Sequence, residues 1–191
     1  MSDLRYNPIT RQWVIVAENR GDRPQDLAVQ QVIQDAAHCP FCEGHEESTP
    51  TEVLAVRSSE SRPNQRGWRV RVVPNKYPAL ENDLELSASP QPASAGTKAA
   101  GSWLPGVGIH EIVIESPRHL TSVAQLSDAE FAEVIGVYGE RLTALRRACR
   151  FTGAVLFKNS GAGGGATLAH LHSQLVAVAA DQPILRTTFV V

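Results

Sequence analysis

One long amphipathic helix in a chain otherwise made of short β-branched runs limits the fold more than any other feature of this sequence. Ser127-Asp128-Ala129-Glu130 puts a serine at a helix N-cap with a glutamate three residues later, and Phe131, Val134, Ile135, Tyr138, Leu142 and Leu145 then recur at helical spacing. The remaining regular segments read as strands. They are Trp13 to Val16, Trp68 to Val73, His110 to Glu115, Ala154 to Lys158 and a last run from His170 to Ala179. Prolines at 74, 78 and 117 close two of them. Hairpin-like spacing between such strands implies an α+β fold with a mostly antiparallel sheet. Residues 81–108, rich in Ser, Ala, Pro and Gly, read as a long surface loop. At 191 residues the chain supports one sizeable core, so a single domain over 1–191 is expected.

Charge narrows the partner class. The 18 basic and 20 acidic residues are interspersed, and no basic tract offers itself to a nucleic-acid polymer or an anionic membrane. A small ligand fits this balance. No run approaches the roughly 20 apolar residues that cross a bilayer, and Met1-Ser2-Asp3-Leu4-Arg5 lacks the apolar stretch of a secretion signal, so the expected address is cytoplasmic. In that compartment three cysteines make a poor disulfide framework. Cys149, near the end of the helix, reads as a buried small hydrophobe.

Cys39-Pro-Phe-Cys42 is half of a tetrahedral metal site, since two thiolates separated by two residues grip one ion in a tight knuckle. There is no second Cys-x-x-Cys, so histidines must complete it. His119 and His170 are candidates, with His38, His45 and His110 as alternatives. The segment from Phe157 to Gln174 carries the remaining chemistry. If His170 to Gln174 is extended, His170, His172 and Gln174 share one face, and burying such groups unpaired costs about 1 to 3 kcal/mol each. A metal or a phosphate would satisfy them. The glycines from Gly161 to Gly165 let backbone N–H groups approach an anion. The loop lacks the Gly-Lys-Ser/Thr ending of an ATP-binding P-loop and is followed by a strand pattern, which excludes the dinucleotide fingerprint.

Six segments in order resemble the N-terminal half of galactose-1-phosphate uridylyltransferases. They are Arg5 to Trp13, Arg20-Gly-Asp-Arg23-Pro24, Cys39 to Cys42, Val73 to Leu80, Glu115 to His119 and Phe157 to Gln174. The resemblance implies a histidine-triad-like fold, an antiparallel β-sheet flanked by helices. It implies structural Zn2+ on Cys39, Cys42, His119 and His170. It also implies that His172 attacks the α-phosphorus of a UDP-hexose and passes UMP to a hexose 1-phosphate, with Gln174 donating to the phosphoryl oxygens. Asn159 and Gly163, Gly164, Gly165, Ala166 and Thr167 match phosphate-binding positions, Asn75 a nucleotide-contacting one, and Arg20 and Arg23 basic residues near the nucleotide.

The sequence departs from that pattern in places that bear on function. Leu171 stands where the family's His-Pro-His motif has proline, Ser173 replaces a glycine, and Lys76 replaces an aspartate. These changes resemble the ADP-glucose phosphorylase branch and make adenylyl transfer the alternative. The family's C-terminal half has no counterpart in these residues, so the expected partners besides nucleotide sugar and sugar 1-phosphate are a complementary C-terminal half or a second copy. A nucleotide-binding half-domain without turnover, and a hydrolase in which water resolves the covalent intermediate, are the competing readings.

Overall fold

The computed structural model describes residues 2–17, 35–82, 103–148, 151–164 and 166–179. Eight strands and one α-helix are found among them, arranged as two antiparallel sheets. Strands β1 (Ser2–Asn7), β2 (Gln12–Ala17) and β5 (Trp103–Pro105) form the smaller sheet, in the order β2-β1-β5. Strands β3 (Leu54–Arg57), β4 (Trp68–Pro74), β6 (Gly108–Ile114), β7 (Phe151–Phe157) and β8 (His172–Ala179) form the larger, in the order β3-β4-β6-β8-β7. The expected α+β class with an antiparallel sheet is what the chain adopts, although only one α-helix flanks it among the described residues.

That helix, α1 (Asp128–Arg147), starts as the sequence demands. The Ser127 hydroxyl accepts from Glu130 N–H at 3.3 Å, and the Glu130 carboxylate returns the contact to Ser127 N–H at 2.8 Å. Arg146 and Arg147 sit in its last turn, where the helix dipole favours positive charge. Val134 and Val137 bury against Val70, Val72 and Val113, and Leu145 packs on Leu175 and Ala177. Phe131 and Ile135, expected on the buried stripe, are instead 44% and 48% exposed. The helix is rolled so that its Val134–Val137–Leu145 side meets the sheet, which leaves those two outside. No helix of the described residues is long and apolar enough to cross a membrane.

On the sheet's other face, Trp68, Val73, Ile112 and Ile114 form a second cluster against Phe41 of the cysteine knuckle. Pairing of β6 with β8 sets Ile114 opposite His172 and Ile112 opposite Gln174. Residues opposite one another in an antiparallel pair share a face, so His172 and Gln174 lie on the knuckle side, away from α1. Strand β8 is hydrogen-bonded on both edges, by β6 and by β7, and so fixes the height of both side chains.

Gly108 shows how closely β6 packs: a Cβ there would lie 2.3 Å from the Ala177 carbonyl oxygen and 2.6 Å from Leu80 Cδ1. Backbone cannot yield as a flexible side chain does. Gly108→Ala is expected to lower the urea unfolding free energy by about 1 to 3 kcal/mol, the usual cost of overpacking; an unchanged unfolding midpoint would refute the close approach.

The expected loop over 81–108 is shorter at its C-terminal end, because β5 pairs with β1 and Val107 bridges Glu81. Cys149, Arg20, Arg23 and Gly165, and most of the 81–108 segment, lie outside the described residues.

Candidate metal centre and nucleophile

The knuckle Cys39–Cys42 closes on itself through Cys42 N–H donating to the Cys39 carbonyl at 3.2 Å. His119 enters from the loop after β6, and His170 from the bend that precedes β8. The ligand atoms of Cys39, Cys42, His119 and His170 all lie within 4.8 Å of one another. Cys42 Sγ is 3.3 Å from His119 Nδ1, and His170 Nδ1 is 3.4 Å from Cys39 Sγ and 3.5 Å from Cys42 Sγ. Around a tetrahedral ion with metal–sulfur and metal–nitrogen bonds of about 2.3 and 2.0 Å, neighbouring S and N atoms stand roughly 3.5 Å apart. The donor set and its spacing therefore fit such an ion.

Groups around the cluster prepare it. His170 Nε2–H donates to the Ser116 carbonyl at 2.9 Å, which leaves the lone pair on Nδ1, the atom facing the sulfurs. Burial holds His170 down to about 4, so the imidazole is neutral at physiological pH. Burial, reinforced by Cys39, pushes the Cys42 thiol up to about 12; a bound cation is what would displace its proton. His45 Nδ1–H donates to the Cys39 carbonyl at 2.6 Å and braces the knuckle from behind. None of the three alternative histidines joins the cluster: His38 pairs with Asp35 at the surface, His45 serves the knuckle backbone, and His110 lies against Gln174.

The period-two expectation holds for His172 and Gln174 but not for His170. Strand β8 begins at His172, and His170 stands in the bend before it. The backbone turns there because Leu171 N–H donates to the Leu120 carbonyl at 2.6 Å while the Leu171 carbonyl accepts from Glu115 N–H at 3.2 Å. His172 is 8% exposed, and its ring meets Phe41 edge-on at 5.2 Å. Its Nδ1 lies 2.7 Å from the His170 carbonyl oxygen, which can only accept. Nδ1 therefore carries the proton and Nε2 the lone pair. A nucleophilic nitrogen with its partner fixed as a donor is the state that attack on an electrophile requires.

Gln174 is held by His110. Ala79 N–H donates to His110 Nδ1 at 2.9 Å, so His110 is protonated on Nε2, and that N–H donates to Gln174 Oε1 at 3.0 Å. The amide of Gln174 is thereby turned with its oxygen on His110, which leaves its NH2 as the donor for a ligand oxygen. Asn75, just beyond β4, accepts Tyr77 N–H on Oδ1 at 2.9 Å, and its amide nitrogen stands 3.0 Å from the same His110 nitrogen, a close approach of two donors and not a hydrogen bond. Gln174, His110 and Asn75 thus stand side by side, with His172 two residues before Gln174 in β8.

The glycine loop contributes less backbone than its composition suggests. Gly164 N–H and Ala166 N–H both donate to the Gly161 carbonyl at 3.2 Å, and Gly161 takes the left-handed φ of 68° that closes the turn. Gly163 and Gly164 face open space, Ala166 is buried, and Asn159 and Thr167 are half-buried beside them. A hollow of about 660 Å³ lies elsewhere, lined by Glu46, Thr49, Glu60, Arg62, Asn64 and Arg66 among others, and none of the candidate residues borders it. Phe41 is a contribution that the sequence does not announce, and His45 and His110, expected only as alternative metal ligands, act instead on the knuckle backbone and on Gln174, through tertiary contacts that no local spacing reveals.

The chain is similar to known proteins over nearly all of its length. The family described as galactose-1-phosphate uridyl transferase, N-terminal domain, matches residues 1–180. An ADP-glucose phosphorylase of Arabidopsis thaliana is 32% identical over 184 residues, covering 95% of this chain and 50% of that protein. A galactose-1-phosphate uridylyltransferase of Thermotoga maritima is 27% identical over 177 residues, covering 93% and 46%. The crystal structure of an Arabidopsis thaliana ADP-glucose phosphorylase with bound ADP-glucose superposes with a TM-score of 0.59 at 29% identity, over 97% of this chain and 51% of that one. The chain spans about half the length of these relatives. With the family's pattern running through nearly all of it, the chain belongs to the galactose-1-phosphate uridyl transferase family and corresponds to its N-terminal domain.

Proposed function

We propose that this domain transfers a nucleotidyl group through His172. Nε2 attacks the α-phosphorus of a nucleotide sugar, a P–N bond forms, and the P–O bond to the sugar phosphate breaks with its electron pair leaving on that oxygen. A sugar 1-phosphate or phosphate then takes the nucleotidyl group from the histidine by the reverse displacement. The observation that carries this reading is the His172 Nδ1–H bond to the His170 carbonyl, which commits the ring to attack through Nε2 and supports the imidazolium formed once phosphorus is attached. Gln174, its oxygen tied to His110, supplies an N–H to charge growing on the phosphoryl oxygens. Asn159 and the 163–167 loop serve the phosphates, and Asn75 with Arg20 and Arg23 the nucleotide.

Cys39, Cys42, His119 and His170 would hold a zinc ion, and with four protein ligands its role would be structural, without a part in the reaction. UDP-hexose is the donor the family name suggests. The higher identity to an ADP-glucose phosphorylase, together with Lys76 and Ser173, favours ADP-glucose as the second candidate. A complementary C-terminal half or a second copy completes the sugar site.

The test is intact mass at neutral pH after incubation with UDP-glucose, UDP-galactose or ADP-glucose. A UMP or AMP adduct is expected and names the base. If no donor labels the protein while nucleotide still binds, the transferase reading fails and a binding half-domain remains.

A further inference from the structure

Behind the strand that carries His172 lies a polar set, centred on a buried carboxylate, that the reaction above does not use. Glu115, just past β6, is 2% exposed. Its carboxylate accepts Lys158 Nζ on both oxygens at 2.7 Å, the Tyr138 hydroxyl at 2.5 Å and the Ser173 hydroxyl at 2.5 Å. Tyr138 and Ser173 oxygens are 2.8 Å apart. The same Lys158 ammonium donates to the main-chain carbonyl of His172 at 2.9 Å. Four elements, the ends of β6 and β7, the start of β8 and the middle of α1, are thus tied together at residues 172 and 173. A carboxylate so enclosed is tolerable only with all its partners in place, and a fully satisfied network of this kind has one arrangement.

The sequence departures gain a purpose here. A proline between the two histidines would fix the local backbone but has no N–H to give. Leu171 does give one, to the Leu120 carbonyl, and Ser173 supplies a hydroxyl that glycine lacks. Both substitutions are therefore engaged in bonds the related motif could not make.

We propose that Lys158, Glu115 and Ser173 are positioning residues for His172. Lys158, held by Glu115, grips the His172 carbonyl, and the Ser173 hydroxyl anchors the next residue to the same carboxylate. Together they supply, in place of a proline, the rigidity that keeps the ring on the His170 carbonyl with Nε2 presented. This rests on His172 being the nucleophile, and the experiment separates the two claims.

The full chain and its Lys158→Met, Lys158→Arg, Ser173→Gly and Lys158→Met/Ser173→Gly variants are compared in two measurements. The first is the single-turnover rate of nucleotidyl-histidine formation against concentration of UDP-glucose or ADP-glucose. The second is the tautomer of the His172 ring, read from long-range 1H–15N NMR correlations without any substrate. Lys158→Met is expected to lower the saturated rate about 10- to 100-fold, the scale of a misplaced reacting group, with half-saturation changed by less than about threefold. Ser173→Gly lowers it less and Lys158→Arg recovers part of it. The double variant falls no further than Lys158→Met, because both side chains act through Glu115. The parent shows one Nδ1–H tautomer and Lys158→Met a mixture. Parent-like rates with an unchanged tautomer would overturn the proposal, as would a loss confined to half-saturation. If Lys158→Met does not fold, Ser173→Gly decides by the same criteria. If the parent itself takes no label, the nucleophile reading has failed and the tautomer decides alone, a mixture in the variants supporting positioning and an unchanged tautomer refuting it.

Discussion

Removing the metal is expected to lower the melting temperature of this domain by roughly 8 to 16 °C. Three separate stretches of chain converge on the Cys39–Cys42–His119–His170 cluster, and Cys39 and His170 are 131 positions apart. A ligand present at a thousandfold its dissociation constant stabilises the folded form by about 4 kcal/mol. For a domain of this size each kcal/mol moves the midpoint by about 2 to 4 °C. Without the ion, two buried thiols face each other and two imidazoles at contact distance with no charge to organise them, and the bend that presents β8 loses its anchor. Cys39→Ser should reproduce the effect of chelation, since a hydroxyl is a poor substitute for a thiolate toward zinc. Elemental analysis of the purified protein should give one zinc per chain. Thermal melts that coincide with and without chelator, at a metal content shown to be below a tenth of an equivalent, would remove the structural role.

What could be read from the sequence and what could not divides along the range of the interactions. The Cys39–Cys42 knuckle and the Ser127–Glu130 capping box are local, and both stand where spacing put them. The completion of the cluster is not local. Five histidines competed for two places, and the choice of His119 and His170 is made by the β6–β8 pairing, which brings Ser116 and the bend before β8 beside the knuckle. Strands β1 and β3 lack a strong β-branched run, and β5 is three residues ending on a proline in an otherwise strand-poor segment, so each gains its identity from its neighbour. The helix stripe was legible as a period but not as a phase, which is why Phe131 and Ile135 changed sides. Tyr138 lay on the helical stripe and Ser173 stood out as a departure from a glycine, but nothing joined them to Glu115 and Lys158, because the network draws one residue from each of four elements. A reader of sequence sees a lysine and a glutamate 43 positions apart; only the assembled sheet makes them partners.

The sharpest division of labour lies between two histidines separated by one residue. His170→Ala is expected to lose the metal, with the fall in melting temperature described above, and to lose activity through that route. His172→Ala is expected to keep one metal per chain and to bind nucleotide within a fewfold of the parent. Its nucleotidyl adduct should be absent, with the transfer rate lower by about 10⁴-fold or more, in line with removal of other covalent nucleophiles. Truncating a ring packed on Phe41 costs some stability, so the melting temperature falls by a few degrees, and the assay belongs well below it. The contrast follows from the two nitrogens of each ring. His170 spends Nε2–H on the Ser116 carbonyl and turns Nδ1 to the sulfurs, whereas His172 spends Nδ1–H on the His170 carbonyl, so that its lone pair is on Nε2, the atom the proposed reaction would use. The chain alternates the tautomers of adjacent histidines by offering each a backbone carbonyl on the opposite nitrogen. Metal analysis and intact mass on the two variants test this directly. Labelling that survives His172→Ala, or full metal content in His170→Ala, would mean that the roles have been assigned to the wrong rings.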